Sequence, residues 1–182
     1  ALVPSVQLIT NGSHVGPEVA RRLGAARLRS VQLTFLSAEP ATHDRLKGAD
    51  SFADTTRAVL DLGDAGVPVS VCFVATHQNW QDFAEVMELC FALGIRTLSY
   101  NRMSATGWAI ERIGELLPEV QEVEANLETA ERLSQRFAIQ VSTAMPIPPC
   151  LFRLERYPSV RFGFCSTGTS SSNIVIDALG NV

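Results

Sequence analysis

The chain has 182 residues, of which 46% are hydrophobic, and a formal net charge of -4. This composition is typical of a globular domain with one sizeable core and excludes the disordered and low-complexity classes. The charge gives no basic surface for nucleic acid, and no run of about 18 apolar residues predicts a membrane span. The first nine residues lack the basic start of a secretory signal, so we expect a cytoplasmic protein.

Strand and helix patterns alternate along the chain. Apolar residues spaced three and four apart predict helices at residues 17–23, 52–65, 80–93 and 117–137. Short runs rich in Val, Ile, Leu and Phe predict strands at residues 6–9, 31–35, 67–74, 95–100 and 138–141. Alternation of this kind predicts a parallel sheet covered by helices, which is the α/β class.

Polar residues occupy alternate positions of the strands, although a parallel strand buried on both faces is normally apolar throughout. These positions are Gln32, Thr34, Ser70, Cys72, Thr97, Ser99 and Asn101. Helices cover the apolar face, so the polar face is predicted to line a cavity, which favours part of a barrel over an open sheet. Four polar residues are expected at the carboxyl-terminal rim of that barrel: Asn11, Thr34, Thr76 and Asn101. Alternatively, each is a satisfied polar residue of an ordinary sheet, and Asn11 with Gly12 is a plain turn signal.

Several segments, taken with their spacing, resemble the radical S-adenosylmethionine (SAM) enzymes. Residues 6–12 (Val-Gln-Leu-Ile-Thr-Asn-Gly) and 30–34 resemble the third and fourth barrel strands of that family. Residues 67–79 resemble the fifth strand, and residues 94–107 resemble the sixth. Cys165, followed after fourteen residues by Gly180, resembles the opening of a SPASM domain, an auxiliary iron-sulfur module.

The resemblance implies a partial (β/α) TIM-like barrel, from the third strand onward, at residues 1–143. A linker and the beginning of a SPASM domain would follow at residues 144–182. The family's Cys-x-x-x-Cys-x-x-Cys motif does not occur in this sequence. We therefore expect a fragment that is inactive alone. The intact oxidoreductase or maturase would cleave SAM reductively with a 4Fe-4S cluster and abstract hydrogen from a peptide, a protein or a cofactor precursor.

The same resemblance implies roles for individual residues. The SAM-binding positions would be Thr34, Met103 and Ser104. The substrate cavity would be lined by Thr10, Asn11, Cys72 and Asn101. Cys165 is the first candidate ligand of an auxiliary cluster and Cys150 the second, since irregular segments commonly supply such thiolates. The strand-four ending Thr34-Phe-Leu-Ser departs from the family's common Ser-Leu-Asp-Gly.

Other residues are interpreted from their own surroundings. Cys90 lies on the apolar stripe of its helix and is predicted to be a buried thiol. Cys72 is predicted to line the cavity without a catalytic role, because no histidine or cation lies near it in sequence to lower its pKa. His43 is expected to have a structural hydrogen-bonding role. Residues 173–176 are predicted to form a strand that leads into a turn at residues 177–180.

Two alternatives from other classes remain open. One is a different α/β barrel enzyme, metal-independent or zinc-using, in which the cysteines are incidental. The other is a small-molecule-binding domain without iron-sulfur clusters and without catalysis. The iron content of the full-length protein distinguishes the radical SAM interpretation from both of these alternatives.

Overall fold

The computed structural model describes residues 5–164 and 174–181, apart from the side chain of Trp108. One sheet of six parallel strands runs through it, and the spatial order of the strands equals their order in the chain. The strands are β1 (Gln7–Ile9), β2 (Ser30–Thr34), β3 (Val69–Ala75), β4 (Thr97–Arg102), β5 (Gln140–Thr143) and β6 (Val160–Phe162). Within the described residues β1 pairs only with β2, so it is an edge strand.

Helices connect consecutive strands. They are α1 (Pro17–Ala25), α2 (Pro40–Lys47), α3 (Phe52–Asp64), α4 (Phe83–Ala92), α5 (Ile113–Leu116) and α6 (Val120–Phe137). Short 3-10 segments lie at Trp80–Asp82, Gly107–Arg112 and Leu154–Arg156. Sequential order in a parallel sheet is the order of a (β/α) barrel wall, whereas doubly wound sheets reverse direction at a switch point. The predicted α/β class and the partial barrel are confirmed.

The sequence places several boundaries two or three residues too early. α6 begins at Val120 because Leu117 precedes a proline, which disfavours helical backbone, and Glu119 caps the helix instead. The capping box is complete: the Glu119 backbone N–H donates to the Glu122 carboxylate at 2.9 Å. At the other end Ala138 adopts φ 51°, and β5 starts only at Gln140.

Three elements, α2, α5 and β6, were missing from the sequence prediction, and one predicted strand does not form in its described residues. α2 has no apolar stripe, but it begins at a proline and ends at Gly48 with φ 71°. β6 is three residues long and extends the sheet beyond residue 143, where the sequence places the end of the barrel; the SPASM boundary itself stays a prediction. Of the predicted strand at 173–176, residues 174–176 are described and are exposed coil, since no described strand offers them backbone partners. The following turn forms around Asp177, whose Oδ1 accepts from the N–H of Leu179 at 2.8 Å.

The apolar face of the sheet packs against the helices in one hydrophobic core. Eight strand residues at alternate positions are fully buried in it: Val31, Leu33, Val71, Phe73, Ala75, Leu98, Tyr100 and Val141. Helices α3, α4 and α6 contribute apolar residues such as Leu62, Met87 and Leu127. Because side chains alternate along a strand, this packing directs the polar positions to the opposite face.

Gly12 fixes the turn that leaves β1. Its φ is 83°, a conformation that favours glycine. A Cβ at this position would lie 2.8 Å from Leu33 Cδ2 and 3.0 Å from Ala58 Cβ. The Asn11 carbonyl also accepts a hydrogen bond from Thr55 Oγ1 at 3.1 Å. The turn is therefore held closely against β2 and α3.

Replacing Gly12 with alanine should destabilise the fold by about 1 to 3 kcal/mol, because steric overlap adds to backbone strain. Gly48→Ala is the matched control, since Gly48 has φ 71° but no atom within 4 Å of the added Cβ. We expect its cost to be only about 1 kcal/mol. Thermal unfolding of the full-length protein would compare the two, and equal losses would show that the close approach has no energetic weight.

Candidate active site

Small side chains form a line across the polar face of the sheet. Thr34 pairs in register with Cys72, Cys72 with Ser99, and Ser99 with Ser142. Barrels are commonly filled by bulky branched residues at such positions, but these four strands supply only hydroxyl and thiol groups. The face is consequently hollow, with a cavity of about 370 Å³. Much of its lining lies at the amino-terminal ends of the strands, with Ser30, Pro68, Thr97 and Gln140, and it extends along the polar face to Gln32, Ser70, Ser99, Ser142 and Ala144.

Ser70 contributes an unsatisfied group to this cavity. The residue is only 5% exposed, and its Oγ has no hydrogen-bond partner among the described residues. Buried hydroxyls are normally paired with protein or with ordered solvent. The cavity can therefore accept a polar ligand or water at this position.

The predicted SAM-binding residues lie at the carboxyl-terminal ends of neighbouring strands. Thr34 is the last residue of β2, and its side chain forms no hydrogen bond within the described part of the chain. Met103 directly follows β4, is 5% exposed, and donates its backbone N–H to the Ala75 carbonyl at 2.7 Å. The carbonyl of Ser104 accepts from the N–H of Thr106 at 2.8 Å. All three residues thus lie at one edge of the sheet, the edge where barrel enzymes bind ligands.

Thr10 and Asn11 stabilise the turn after β1. Thr10 Oγ1 accepts from the N–H of Gly12 at 3.2 Å. Asn11 Oδ1 accepts from both the N–H and the Oγ of Ser13, at 3.2 and 2.9 Å. These contacts account for the two side chains locally, and their role in a substrate cavity stays a prediction.

Asn101 near the end of β4 and Cys72 in the middle of β3 are brought together. Asn101 Nδ2 lies 3.4 Å from Cys72 Sγ and 3.4 Å from Ser99 Oγ. Its Oδ1 accepts from the backbone N–H groups of Ala144 and Met145, which follow β5. One amide side chain thereby joins three consecutive strands.

The Lys47 ammonium lies near Cys72 in the fold, although the two residues are far apart in sequence. Burial raises the pKa of the thiol, while the hydrogen bond from Asn101 and the Lys47 ammonium both lower it. Lys47 is the last residue of α2, which returns over the rim after β2. No cation lies near Cys72 in sequence, so the approach of Lys47 follows from the fold alone, and burial remains the largest influence on the thiol pKa. The place of Cys72 in a substrate cavity stays a prediction.

The other cysteines differ in their surroundings. Cys90 is fully buried on α4, and burial raises its pKa to about 12, as expected for a core thiol. Cys150 is exposed in a turn after β5, and Cys165 lies outside the described residues. No group of three potential metal ligands occurs among residues 5–164 and 174–181. The assignment of Cys150 and Cys165 to an auxiliary cluster stays a prediction.

His43 has the structural role that the sequence suggests. It is fully buried, and its Nδ1 accepts from the N–H of Leu36 at 3.2 Å. Its ring packs edge-on against Phe52 at a centroid distance of 5.5 Å. Burial, followed by the nearby Lys47 ammonium, lowers the pKa of the imidazole. The His43 imidazole is therefore neutral, and in this form it holds the segment that follows β2.

Asp44 was not anticipated from the sequence. Its Oδ1 accepts from the N–H groups of Ser51 and Phe52, both at 2.8 Å, and so caps α3. Ser51 occupies the N-cap position of α3, but its side chain forms no cap hydrogen bond. The bond from Ser51 is the main reason that the pKa of Asp44 is lowered. Asp44 lies seven residues before Ser51, so the sequence at the start of α3 does not indicate this cap.

Asn79 connects the loops after β2 and β3. It is fully buried, and its Nδ2 donates to the Leu36 carbonyl at 2.7 Å. Its Oδ1 accepts from both the N–H and the hydroxyl of Thr76, at 2.7 and 2.8 Å. The hydroxyl expected at the rim is therefore engaged in holding the rim together. Nearby, His77 Nδ1 pairs with Glu122 Oε1 at 2.8 Å and ties this loop to α6.

His43 should make stability depend on pH. Its folded pKa lies below the ordinary value, so the unfolded chain binds more protons once the pH falls below about 6.5. We expect the melting temperature to decrease as the pH is lowered from 7.5 towards 5. His43→Asn keeps an acceptor for the Leu36 N–H but cannot be protonated, so its decrease should be smaller. Parallel pH profiles of the two proteins would contradict this assignment.

Among the described helices none is long and apolar enough to cross a membrane.

Comparisons with known proteins agree with this geometry. Residues 2–90 match the family model of the radical SAM superfamily. The PqqA peptide cyclase of Methylocella silvestris is 28% identical over 132 residues, which are 72% of this chain and 35% of that protein. The mycofactocin maturase MftC of Mycobacterium tuberculosis is 34% identical over 116 residues, 62% of this chain and 29% of that protein. The chain spans about a third of the length of these curated relatives.

Solved structures show the same fold. Streptococcus suis SuiB bound to the precursor peptide SuiA matches with a TM-score of 0.62 at 12% identity, covering 77% of this chain and 32% of that chain. Native anSMEcpe with bound AdoMet matches with a TM-score of 0.59 at 15% identity, covering 76% and 40%. At these identities the likeness concerns fold alone. It confirms that the six strands correspond to part of a barrel wall.

Proposed function

This chain belongs to the radical SAM superfamily, and we propose that the full-length protein reductively cleaves SAM and abstracts a hydrogen atom from a peptide. The observation that carries the proposal is the polar face of the sheet, which holds the cavity and, further towards the carboxyl ends of the strands, the side chains of Thr34, Cys72 and Asn101. Membership in the superfamily implies SAM and a 4Fe-4S cluster as cofactors. Together they supply a deoxyadenosyl radical, and the protein supplies position and exclusion of water.

The described residues fit SAM better than they fit a cluster. The Thr34 hydroxyl lies at the rim without a hydrogen bond to another described residue, and Met103 and Ser104 follow β4 at the same edge of the sheet. We propose that these three residues contact SAM. Since no group of three potential metal ligands occurs among the described residues, we propose that residues outside them hold the cluster that cleaves SAM. We propose Cys165, with Cys150, as ligands of an auxiliary cluster in a SPASM domain.

A peptide is the substrate class that the relatives favour. Two of them are named a PqqA peptide cyclase and a mycofactocin maturase, and a structural neighbour was solved with its precursor peptide. The polar face continues beyond the cavity towards the carboxyl ends of the strands, where Cys72 and Asn101 lie. We propose that Cys72 and Asn101 line the substrate site in that half of the face, with Thr10 and Asn11 at the edge that β1 forms.

The first test of the proposed activity is SAM cleavage by full-length protein reconstituted anaerobically with iron and sulfide. With dithionite as reductant we expect 5′-deoxyadenosine to form. An α/β barrel enzyme of another class, or a binding domain, would contain no cluster and form no deoxyadenosine. That result would overturn the proposal.

Thr34→Val tests the SAM contact at a rim hydroxyl. Valine keeps the β-branched shape but removes the hydroxyl, so SAM affinity should decrease about 3- to 10-fold, the effect of roughly one hydrogen bond. Thr42→Val is the control, because Thr42 lies on α2 and only its backbone N–H is bonded, to Glu39. Equilibrium binding of SAM to both variants measures the difference. Equal affinities would remove Thr34 from the SAM site.

Cys165→Ala tests the auxiliary cluster. We expect the iron and acid-labile sulfide of the full-length protein to decrease by one cluster's content, with a smaller or equal decrease for Cys150→Ala. Cys90→Ala is the control, since that thiol is fully buried in the core and cannot reach a cluster. Unchanged iron in the Cys165 variant would contradict its assignment as a ligand.

A further inference from the structure

Asn101 uses both ends of its amide group. The side chain lies near the carboxyl end of β4 and is half-buried. Its Nδ2 faces Cys72 Sγ on β3 and Ser99 Oγ on its own strand. Its Oδ1 receives the backbone N–H groups of Ala144 at 3.0 Å and of Met145 at 3.3 Å.

The acceptor end carries the stronger contacts. The distances to Cys72 and Ser99 are both 3.4 Å, the long end of the range for a hydrogen bond, whereas the bond from Ala144 has ordinary length. Two N–H groups sharing one carbonyl oxygen also use both of its lone pairs. The principal effect of Asn101 is therefore exerted on the segment that follows β5.

That segment has few other means of attachment. Residues 144–149 read Ala-Met-Pro-Ile-Pro-Pro, and its three prolines have no N–H to donate. The backbone pairing of β4 with β5 ends at Ser99 and Ser142, before the segment begins. Ile147 is buried in the core and anchors the middle. Asn101 holds the beginning, where Ala144 forms part of the cavity wall.

We propose that Asn101 is a positioning residue, which holds residues 144–149 against the edge of the sheet and thereby sets the position of Ala144 in the cavity wall. This inference rests on the proposed function, because the position of that wall matters only if a ligand binds there. It revises the role of Asn101 from a group that contacts substrate to one that acts through Ala144 and Met145. The Cys72 thiol is a secondary partner.

Two substitutions distinguish the effect of the Asn101 amide oxygen from that of its amide nitrogen. Asn101→Ala removes both ends. Asn101→Asp keeps acceptor oxygens for the two N–H groups but removes the donor to Cys72 and Ser99. Cys72→Ala is the matched control, because it removes only the thiol contact. All are made in the reconstituted full-length enzyme.

Hydrogen exchange read by mass spectrometry on peptides spanning residues 140–150 reports directly on the segment. In Asn101→Ala the amides of Ala144 and Met145 should exchange about tenfold faster, and SAM affinity should decrease with them. Asn101→Asp should restore slow exchange and SAM affinity together, and Cys72→Ala should leave the exchange of both amides unchanged. These outcomes support the positioning role.

Three outcomes would overturn it. Unchanged exchange in Asn101→Ala means that the segment is held by other contacts. Decreased SAM affinity with unchanged exchange means that Asn101 contacts the ligand itself. Faster exchange without any change in SAM affinity or kcat/KM means that the bond is structural only. Failure of the proposed function can be told apart from failure of the positioning role. In the first case the unmodified enzyme forms no deoxyadenosine, and the exchange measurement can still be made because it needs no activity.

Discussion

The division of the sheet into an apolar and a polar face is the constraint on which the rest depends. Strand side chains alternate, and the helices bury one set completely, from Val31 on β2 to Tyr100 on β4. The other set carries mainly polar groups, and within the described residues no helix covers it. Since all strands are parallel and sequential, their carboxyl ends meet at one edge. The polar side chains near that edge therefore follow from the packing of the opposite face.

Side-chain amides and carboxylates hold that edge together where backbone pairing ends. Asn79 joins the loops after β2 and β3, and Asn101 joins β3, β4 and the end of β5. Asp44 caps α3 from the neighbouring helix, and Glu122 links α6 to His77. Each of these groups accepts hydrogen bonds from, or donates them to, groups that have no partner within the regular helices and strands. The rim is thus fixed by a few polar residues, which leaves Thr34 available for a ligand.

The sequence predicted most of the architecture but less of the site. Elements with a clear period, such as α3 and α6, were found within a few residues, because their apolar stripes are set by the core they face. α2 lacks such a stripe, and β6 is too short to show one. Lys47 and Asp44 were missed since their partners lie far along the chain or on another element. Asn101 was found by its position on the polar face, but its bond to Ala144 depends on tertiary structure alone.

The edge position of β1 has a practical consequence. A strand at the edge of a sheet presents a row of backbone groups to which another chain can hydrogen-bond, and natural proteins usually protect such edges. Here the strand also carries Ile9, which is 68% exposed. Residues 1–182 produced on their own would offer this edge to a second copy, so we expect self-association and low solubility. Biochemical work is better begun with full-length protein, in which further chain can cover that strand.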